Sequence, residues 1–404
     1  MSVSRLRGMA GIGVDRMGDL ADRADSAAIL RLENLDTDLI PPPGIAAATH
    51  AATIDDAANS YLPFLGSAAL RRAAAAHVSR LSGHDYPWQQ TTLITAGGLN
   101  EILNCLLALL EPGDEVLMVD PIYMGLINRV RLAGGVPVFV ACEIVEGTWR
   151  FNRAAFKAAV TARTRLVLMM SPSMPSGLVL SADDWATVCE VCVDANCWLL
   201  YDAAMERLLF DGLPYLHPAR WPGMAERTIT VGAVSKQYRM IGWRIGWIVA
   251  PPRIINDLGL VTISNVVCPV GIAQAAACVA LNSDQSDVAA ARDEWQRRRD
   301  CMLAELSKFA VVKPQGGWSL LMDCRPLGLT GAELSERLLS LSQIAATPMT
   351  GWGSPRSADF IRFVFANEPV ARLHGLGERV ARALGSDECD QFPPPQPSPA
   401  RERE

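Results

Sequence analysis

No apolar run in this chain of 404 residues reaches the roughly 20 residues needed to cross a bilayer, so no membrane partner is expected. No signal peptide is expected either. The opening stretch, MSVSRLRGMAGIGVDRMGDL, has early arginines, but aspartates interrupt it and no apolar core follows. A basic footprint is missing too: the net charge is −6, which argues against a nucleic-acid partner. Ten cysteines are present, and Cys189, Cys192 and Cys197 are close enough to raise the question of a metal. Cys189 and Cys192 fall in an apolar helical pattern, and Cys197 opens a strand. No second CxxC or histidine pair completes a zinc site. Buried thiols in a reducing cytoplasm are the expectation.

What is present suits a globular enzyme, with 50% hydrophobic and 20% charged residues. The length allows one large and one small domain. The first ~25 residues are rich in Ala, Asp and Arg and read as a loose arm. RLENLDTDLIPPPG (31–44) reads as an extended lead-in, because its prolines forbid a helix. From about 46 to 286, short apolar runs alternate with helical patterns. The runs are TTLIT, EVLMVD, VPVFV, RLVLMM, CWLLYD, TITVGAV and WRIGWIVA. Several are apolar throughout, as expected for a mostly parallel sheet covered by helices on both faces. The segment 287–385 begins with a charged helix and continues with VVKPQ, WSLLMD and FIRFVFA, which predicts a smaller α+β domain. Residues 1–45 are expected to contribute to that small domain. The tail, 386–404, is rich in proline and charge and predicts disorder.

Five local features carry chemistry, and each has an ordinary reading beside it. Lys236 ends a core strand in VSKQYRMIGWRIGW (234–247). A desolvated lysine there can form a Schiff base with a carbonyl, but a lone strand-end lysine usually snorkels to the surface. Arg244, between glycines, suits a phosphate, or is a surface arginine on a hairpin. TAGGLNEIL (95–103) opens a helix on two glycines, whose free N–H groups can bind phosphate. Asp202 ends an apolar strand, as a carboxylate awaiting a cation or as a helix cap. Tyr123, in DPIY, can stack on a flat ring or simply fill space. All five stand at successive strand ends of one α/β unit, where such sheets bind ligands. A phosphate, an aromatic ring, a pyridinium and an aldehyde are the handles of pyridoxal 5′-phosphate.

With these residues in place, the chain resembles the pyridoxal-phosphate-dependent aminotransferases of class I/II, the aspartate aminotransferase superfamily of fold type I. The resemblance runs from about 30 to 385. Its specific part is SKxxxxxGxRxG, matched by Ser235, Lys236, Gly242, Arg244 and Gly246. YLPFLGSAALR, PGDEV, DPIY, PSGLVLS and IRFVF also resemble family segments. The resemblance implies that Lys236 holds the cofactor as a Schiff base and later shuttles a proton. It implies that Asp202 pairs with the pyridinium and Tyr123 stacks on the ring. Arg244 and the N–H groups of Gly98 and Leu99 would hold the phosphate. Tyr61 would reach the phosphate of a neighbouring subunit in a homodimer, and Arg362 would clamp the substrate carboxylate. The implied activity moves an amino group between an amino acid and a 2-oxo acid.

Three positions depart from the family pattern. Met174 and Met205 stand where relatives carry an asparagine and a tyrosine that donate to the cofactor's phenolic oxygen, and Ala233 stands where a hydroxyl binds phosphate. A thioether donates no hydrogen bond. The Schiff base should therefore stay protonated to higher pH, unless Tyr238 or a water fills the gap. Other reactions on this scaffold (β-lyase, racemase, decarboxylase or oxidase) and a non-catalytic regulatory role are the alternatives. Glu33, Asp36 and Asp38 are either solvated loop residues or a preference for a cationic donor. Trp318 is positioned to shape the pocket.

Overall fold

The computed structural model describes residues 3, 6, 8–9, 11–24 and 27–385. The predicted disordered tail lies outside the described residues. The main sheet has seven strands: β1 (Thr92–Thr95), β2 (Glu115–Asp120), β3 (Val136–Ala141), β4 (Thr164–Met170), β5 (Trp198–Asp202), β6 (Thr228–Ala233) and β7 (Gly246–Val249). Their spatial order is β1-β7-β6-β5-β4-β2-β3. Pairings from β6 across to β3 are parallel. Only β7 runs against its neighbours, β6 and β1. The runs that read as apolar throughout are buried on both faces: Leu166, Val167, Leu168, Leu199 and Leu200 have no exposed surface.

The direction of β7 matters for the site. A parallel strand delivers its C-terminal residue to one edge of the sheet, and an antiparallel neighbour delivers the residue before its start to that same edge. Gly246 pairs with Thr95 of β1 and Ala233 of β6. Arg244 therefore arrives beside the residues that follow β1 and β6. WRIGWIVA does not form a strand from its first residue. Ile241–Trp243 is a 3₁₀ turn and Arg244 takes a left-handed φ of 54°, so the ladder starts at Gly246.

The second sheet has four strands: β8 (Val311–Val312), β9 (Ser319–Asp323), β10 (Thr347–Pro348) and β11 (Phe360–Val364), in the order β8-β9-β11-β10. All its pairings are antiparallel. The lead-in is extended. Leu30–Arg31 pairs in parallel with Ile344–Ala345, and the Val364 N–H donates to the Leu32 carbonyl at 2.9 Å. The start of the chain differs from the loose arm expected. Val14–Arg23 is a helix, α1. Met17 and Ala21, one turn apart, are buried, while Asp15, Arg16, Asp19 and Arg23 lie on its other sides. Ala21 joins Ile29 and Ala345 in a small apolar cluster. The charged composition masked an amphipathic spacing. Among the described residues, no helix is long and apolar enough to cross a membrane.

After β1, Gly97 has φ 95° and caps helix α2 (Gly98–Leu109). The first turn of α2 carries Glu101, fully buried, its Oε1 accepting from Thr95 Oγ1 at 2.6 Å. Gly246 packs directly on that carboxyl: a Cβ there would overlap Glu101 and approach the Gly232 carbonyl. Gly246→Ala should lower stability by about 2 kcal/mol, read as a drop in the unfolding midpoint. Adding Glu101→Ala should recover part of the loss. An unchanged midpoint for the single variant would show that this contact is not tight.

Candidate active site

One cavity of about 310 Å³ opens at the strand-end edge of the main sheet. It gathers Gly98, Leu99, Tyr123, Asp202, Lys236, Arg244, Met174, Met205 and Arg362. Tyr61 is not among its lining residues and is 82% exposed.

Lys236 faces the cavity and protein surrounds its other sides. Its Nζ donates to the Leu35 carbonyl at 2.9 Å and sits 4.9 Å from the centre of the Trp318 ring. Burial lowers its pKa from 10.5 to about 8. The carboxylate of Asp36 opposes that shift, and the guanidinium groups of Arg362 and Arg244 add to it. A neutral amine is thus accessible near neutral pH, as a nucleophile requires. Asp202 is buried at the end of β5, with Oδ1 accepting from the Ala204 N–H at 3.0 Å. Burial raises its pKa from 3.8 to about 6, and the charge of Lys236 only partly offsets that. A carboxyl in this state favours a cationic partner.

At the other side of the cavity, Arg244 donates to the Ile241 carbonyl at 2.9 Å and to Ser235 Oγ at 3.4 Å. Its guanidinium lies across Gly97, where a Cβ would stand only 2.8 Å from Nη2. The free N–H groups at the start of α2 and the guanidinium thus converge on one cradle, suited to an anion. Tyr123 caps the helix Met124–Leu132, half-buried, with its ring 5.2 Å from that of Trp352. Arg362, on β11, is buried. It donates to the Glu33 carbonyl and to Thr347 Oγ1, and Nη1 rests 3.8 Å from Met174 Sδ. None of these partners is a carboxylate. Burial lowers its pKa to about 10. Trp352 lies 4.8 Å beneath the guanidinium carbon.

Several sequence expectations resolve differently. Tyr238 is buried and donates to Gln285 Oε1 at 2.8 Å, away from the cavity, so it supplies no donor beside Met174 and Met205. Trp318 supports Lys236 from behind and does not line the cavity. Glu33 is buried and bound by Arg31, and Asp38 is held by Arg298 at 2.6 Å, so neither is a free acid at the mouth. Residues missed in the sequence include Ile12, Val14 and Asp15, which line the cavity, and Glu101, whose buried carboxyl feels the charges of Asp202 and Arg244. Val14 and Asp15 were lost with the helix α1, and Ile12 lies just before it. Glu101 sits in a polar-looking first turn, where nothing in the sequence marks burial.

An anion cradle, a cavity-facing amine, a buried carboxylate and a flanking aromatic around one cavity fit pyridoxal phosphate. The family model for aminotransferase class I and II matches residues 32–380. The chain belongs to this family. As a class I/II aminotransferase it depends on pyridoxal phosphate and transfers amino groups between amino acids and oxo acids. It is 35% identical to a probable N-succinyldiaminopimelate aminotransferase DapC of Mycobacterium tuberculosis, over 94% of this chain and all of that protein. It is 32% identical to the arginine–pyruvate transaminase AruH of Pseudomonas aeruginosa, over 77% of this chain and 79% of the relative. The solved N-succinyldiaminopimelate aminotransferase from Mycobacterium tuberculosis superposes with a TM-score of 0.88 at 33% identity, over 95% of this chain and all of that one. The aspartate aminotransferase of Rhizobium meliloti gives 0.87 at 29%, over 97% and 100%.

The aminotransferase should be weakened, without its cofactor, by Asp202. A carboxyl whose folded pKa is raised destabilises the fold above that pKa, and the effect vanishes below the unfolded value. Asp202→Asn should therefore stabilise the cofactor-free protein at pH 7, by on the order of 3 kcal/mol for a shift from 3.8 to about 6. The gain should disappear near pH 4. Thermal unfolding at both pH values checks this, and a gain independent of pH would contradict it.

Proposed function

We propose that this aminotransferase works through Lys236, with Asp202, Arg244, Gly98, Leu99 and Tyr123 holding the cofactor and Arg362 holding the substrate carboxylate. The observation that carries the proposal is the Lys236 amine, kept in a poorly solvated setting at the edge where Asp202 and Arg244 also arrive. When bound, pyridoxal phosphate supplies an electron-poor ring that takes up the electron pair released at the donor's α-carbon. Lys236 Nζ would be the group that holds the cofactor's aldehyde carbon and, once freed by the donor, would carry the α-proton. Asp202 keeps a proton on the ring nitrogen, and its raised pKa leaves it eager for that charge. Arg362 can turn its donors from Met174 sulfur, a weak acceptor, to a carboxylate. Met174 and Met205 line the cavity without offering a donor, so the bound cofactor's absorbance should titrate at higher pH than with hydroxyl or amide donors in their place.

The test is an absorbance spectrum of the holoenzyme with amino acids and no oxo acid. Conversion of the pyridoxal form to the pyridoxamine form is the expected result. Ammonia or pyruvate release without that conversion would point to lyase or oxidase chemistry. Arg362→Lys should raise the donor KM about tenfold. An unchanged KM would remove Arg362 from the substrate site.

We also propose a homodimer in the cytoplasm. Tyr61 is 82% exposed, Ile54 78% and Phe64 48%. The segment carrying them packs on the helices Pro252–Val266 and Gly271–Asn282 through Leu65, Ala58 and Leu62. Arg244 is exposed in the single chain, which leaves the phosphate cradle open to a second copy. Buried free thiols at Cys105, Cys142 and Cys192 suit a reducing compartment. The proposed domains are 46–286 and 287–385, with 1–45 joined to the latter. Sedimentation should give twice the chain's 43.6 kDa. Tyr61→Phe should leave that mass unchanged and weaken cofactor retention about tenfold. A monomer, or unaltered retention, would contradict the shared site.

A further inference from the structure

We infer that Glu206 is a positioning residue for the cofactor: its buried negative charge, behind Asp202, helps Asp202 hold a proton on the ring nitrogen. The inference rests on the role proposed above for Asp202 and deepens it. The groups involved are enclosed within one chain, since Glu206 is 2% exposed and His77 1%. A second copy at the cavity does not reach them.

Glu206 lies in the turn that leaves β5. Its N–H donates to the carbonyl of Ala203, the residue after Asp202, at 3.1 Å. Unlike Asp202, Glu206 does not line the cavity. It meets Tyr215 and His77, the latter on the helix Ala68–Ser82. Oε1 lies 2.6 Å from His77 Nε2, and Oε2 accepts from the Tyr215 hydroxyl at 2.9 Å. On the far side of the imidazole, Arg80 Nη2 is 3.3 Å from Nδ1. A guanidinium only donates, so the hydrogen-bond pattern makes Nδ1 an acceptor and puts the ring proton on Nε2, directed at Glu206. A neutral imidazole and a phenol thus support the carboxylate without cancelling its charge. Burial pushes the Glu206 pKa up, but His77 and Tyr215 outweigh that and hold it below the usual value.

The other titratable neighbours do not compete. Glu101 and Tyr201 face Asp202, and Tyr201, His217 and Tyr238 face Glu206. Burial moves each toward its neutral form. It raises the pKa of Glu101 and of the tyrosines, Tyr238 to about 12, and lowers that of His217 to about 4. Two charged side chains then act on Asp202. Beyond burial, the main cause of its raised pKa, Lys236 lowers the value and Glu206 raises it. Glu206 therefore makes Asp202 more basic than burial alone does, at the carboxyl proposed to meet the ring nitrogen. Both negative charges favour the protonated ring, the form that draws electrons from the substrate.

Binding of pyridoxal phosphate, and of an analogue with carbon in place of the ring nitrogen, tests this. Wild type should prefer pyridoxal phosphate. Glu206→Gln keeps the size and can keep both hydrogen bonds, but loses the charge. Near pH 7 it should weaken pyridoxal phosphate about tenfold and the analogue less than about twofold. Glu206→Asp, which keeps the charge, should retain most of the preference. Tyr215→Phe removes one donor, so Glu206 takes up its proton at higher pH. On the acid side the preference should then fade at a higher pH than in wild type. Equal losses for the two ligands in Glu206→Gln, or no loss, would overturn the inference. Should that variant not fold, an unmoved acid limb in Tyr215→Phe would do the same. A preference lost in Asp202→Asn but kept in Glu206→Gln would overturn this inference alone. A preference missing from wild type, or surviving Asp202→Asn, would overturn the role of Asp202 and this inference with it.

Discussion

An amine that must be neutral near physiological pH has to be kept poorly hydrated, and the surroundings of Lys236 do this without a single strong partner. The Trp318 face lies behind it and one backbone carbonyl accepts from it. Two guanidinium groups push its proton off, while Asp36 and Asp202 hold it on. The balance falls at about 8. A tight ion pair would have kept the amine charged and unreactive. The rest of the site follows from that constraint, since the groups that tune the lysine are those proposed to hold the cofactor and the substrate.

Topology brings these groups together. Residues after β1, β2, β5 and β6 reach one edge because those strands share a direction, and Arg244 joins them because β7 does not. Arg362 comes from the second sheet, and the lead-in ties that sheet to the site. The Glu33 carbonyl accepts from Arg362, and the Leu35 carbonyl, two residues on, accepts from Lys236. A shift of the lead-in would therefore disturb both cations together.

Much of this could be read from the sequence because the strands are apolar throughout and the chemical residues sit at their ends. Lys236, Asp202 and Arg244 are visible for that reason. Strand starts were less legible. WRIGWIVA looks uniform, yet the left-handed Arg244 delays the ladder to Gly246. The helix α1 was missed because only Met17 and Ala21 mark its buried face among charged neighbours. The roles of Glu33 and Asp38 were hidden because their partners, Arg31 and Arg298, meet them only in the folded chain. Glu101 shows the general limit: the residue packed against its buried carboxyl, Gly246, lies far away in sequence.

The central claim is that the Lys236 amine is the group joined covalently to the cofactor. The chain has only four lysines, at 157, 236, 308 and 313, so the assignment can be made cleanly. Borohydride reduction of the holoenzyme would convert a carbon–nitrogen double bond into a stable secondary amine, and peptide mass spectrometry would locate it. The account predicts the pyridoxyl group on Lys236 and on no other lysine. A holoenzyme labelled at Lys157, Lys308 or Lys313 instead, or left unlabelled, would contradict it.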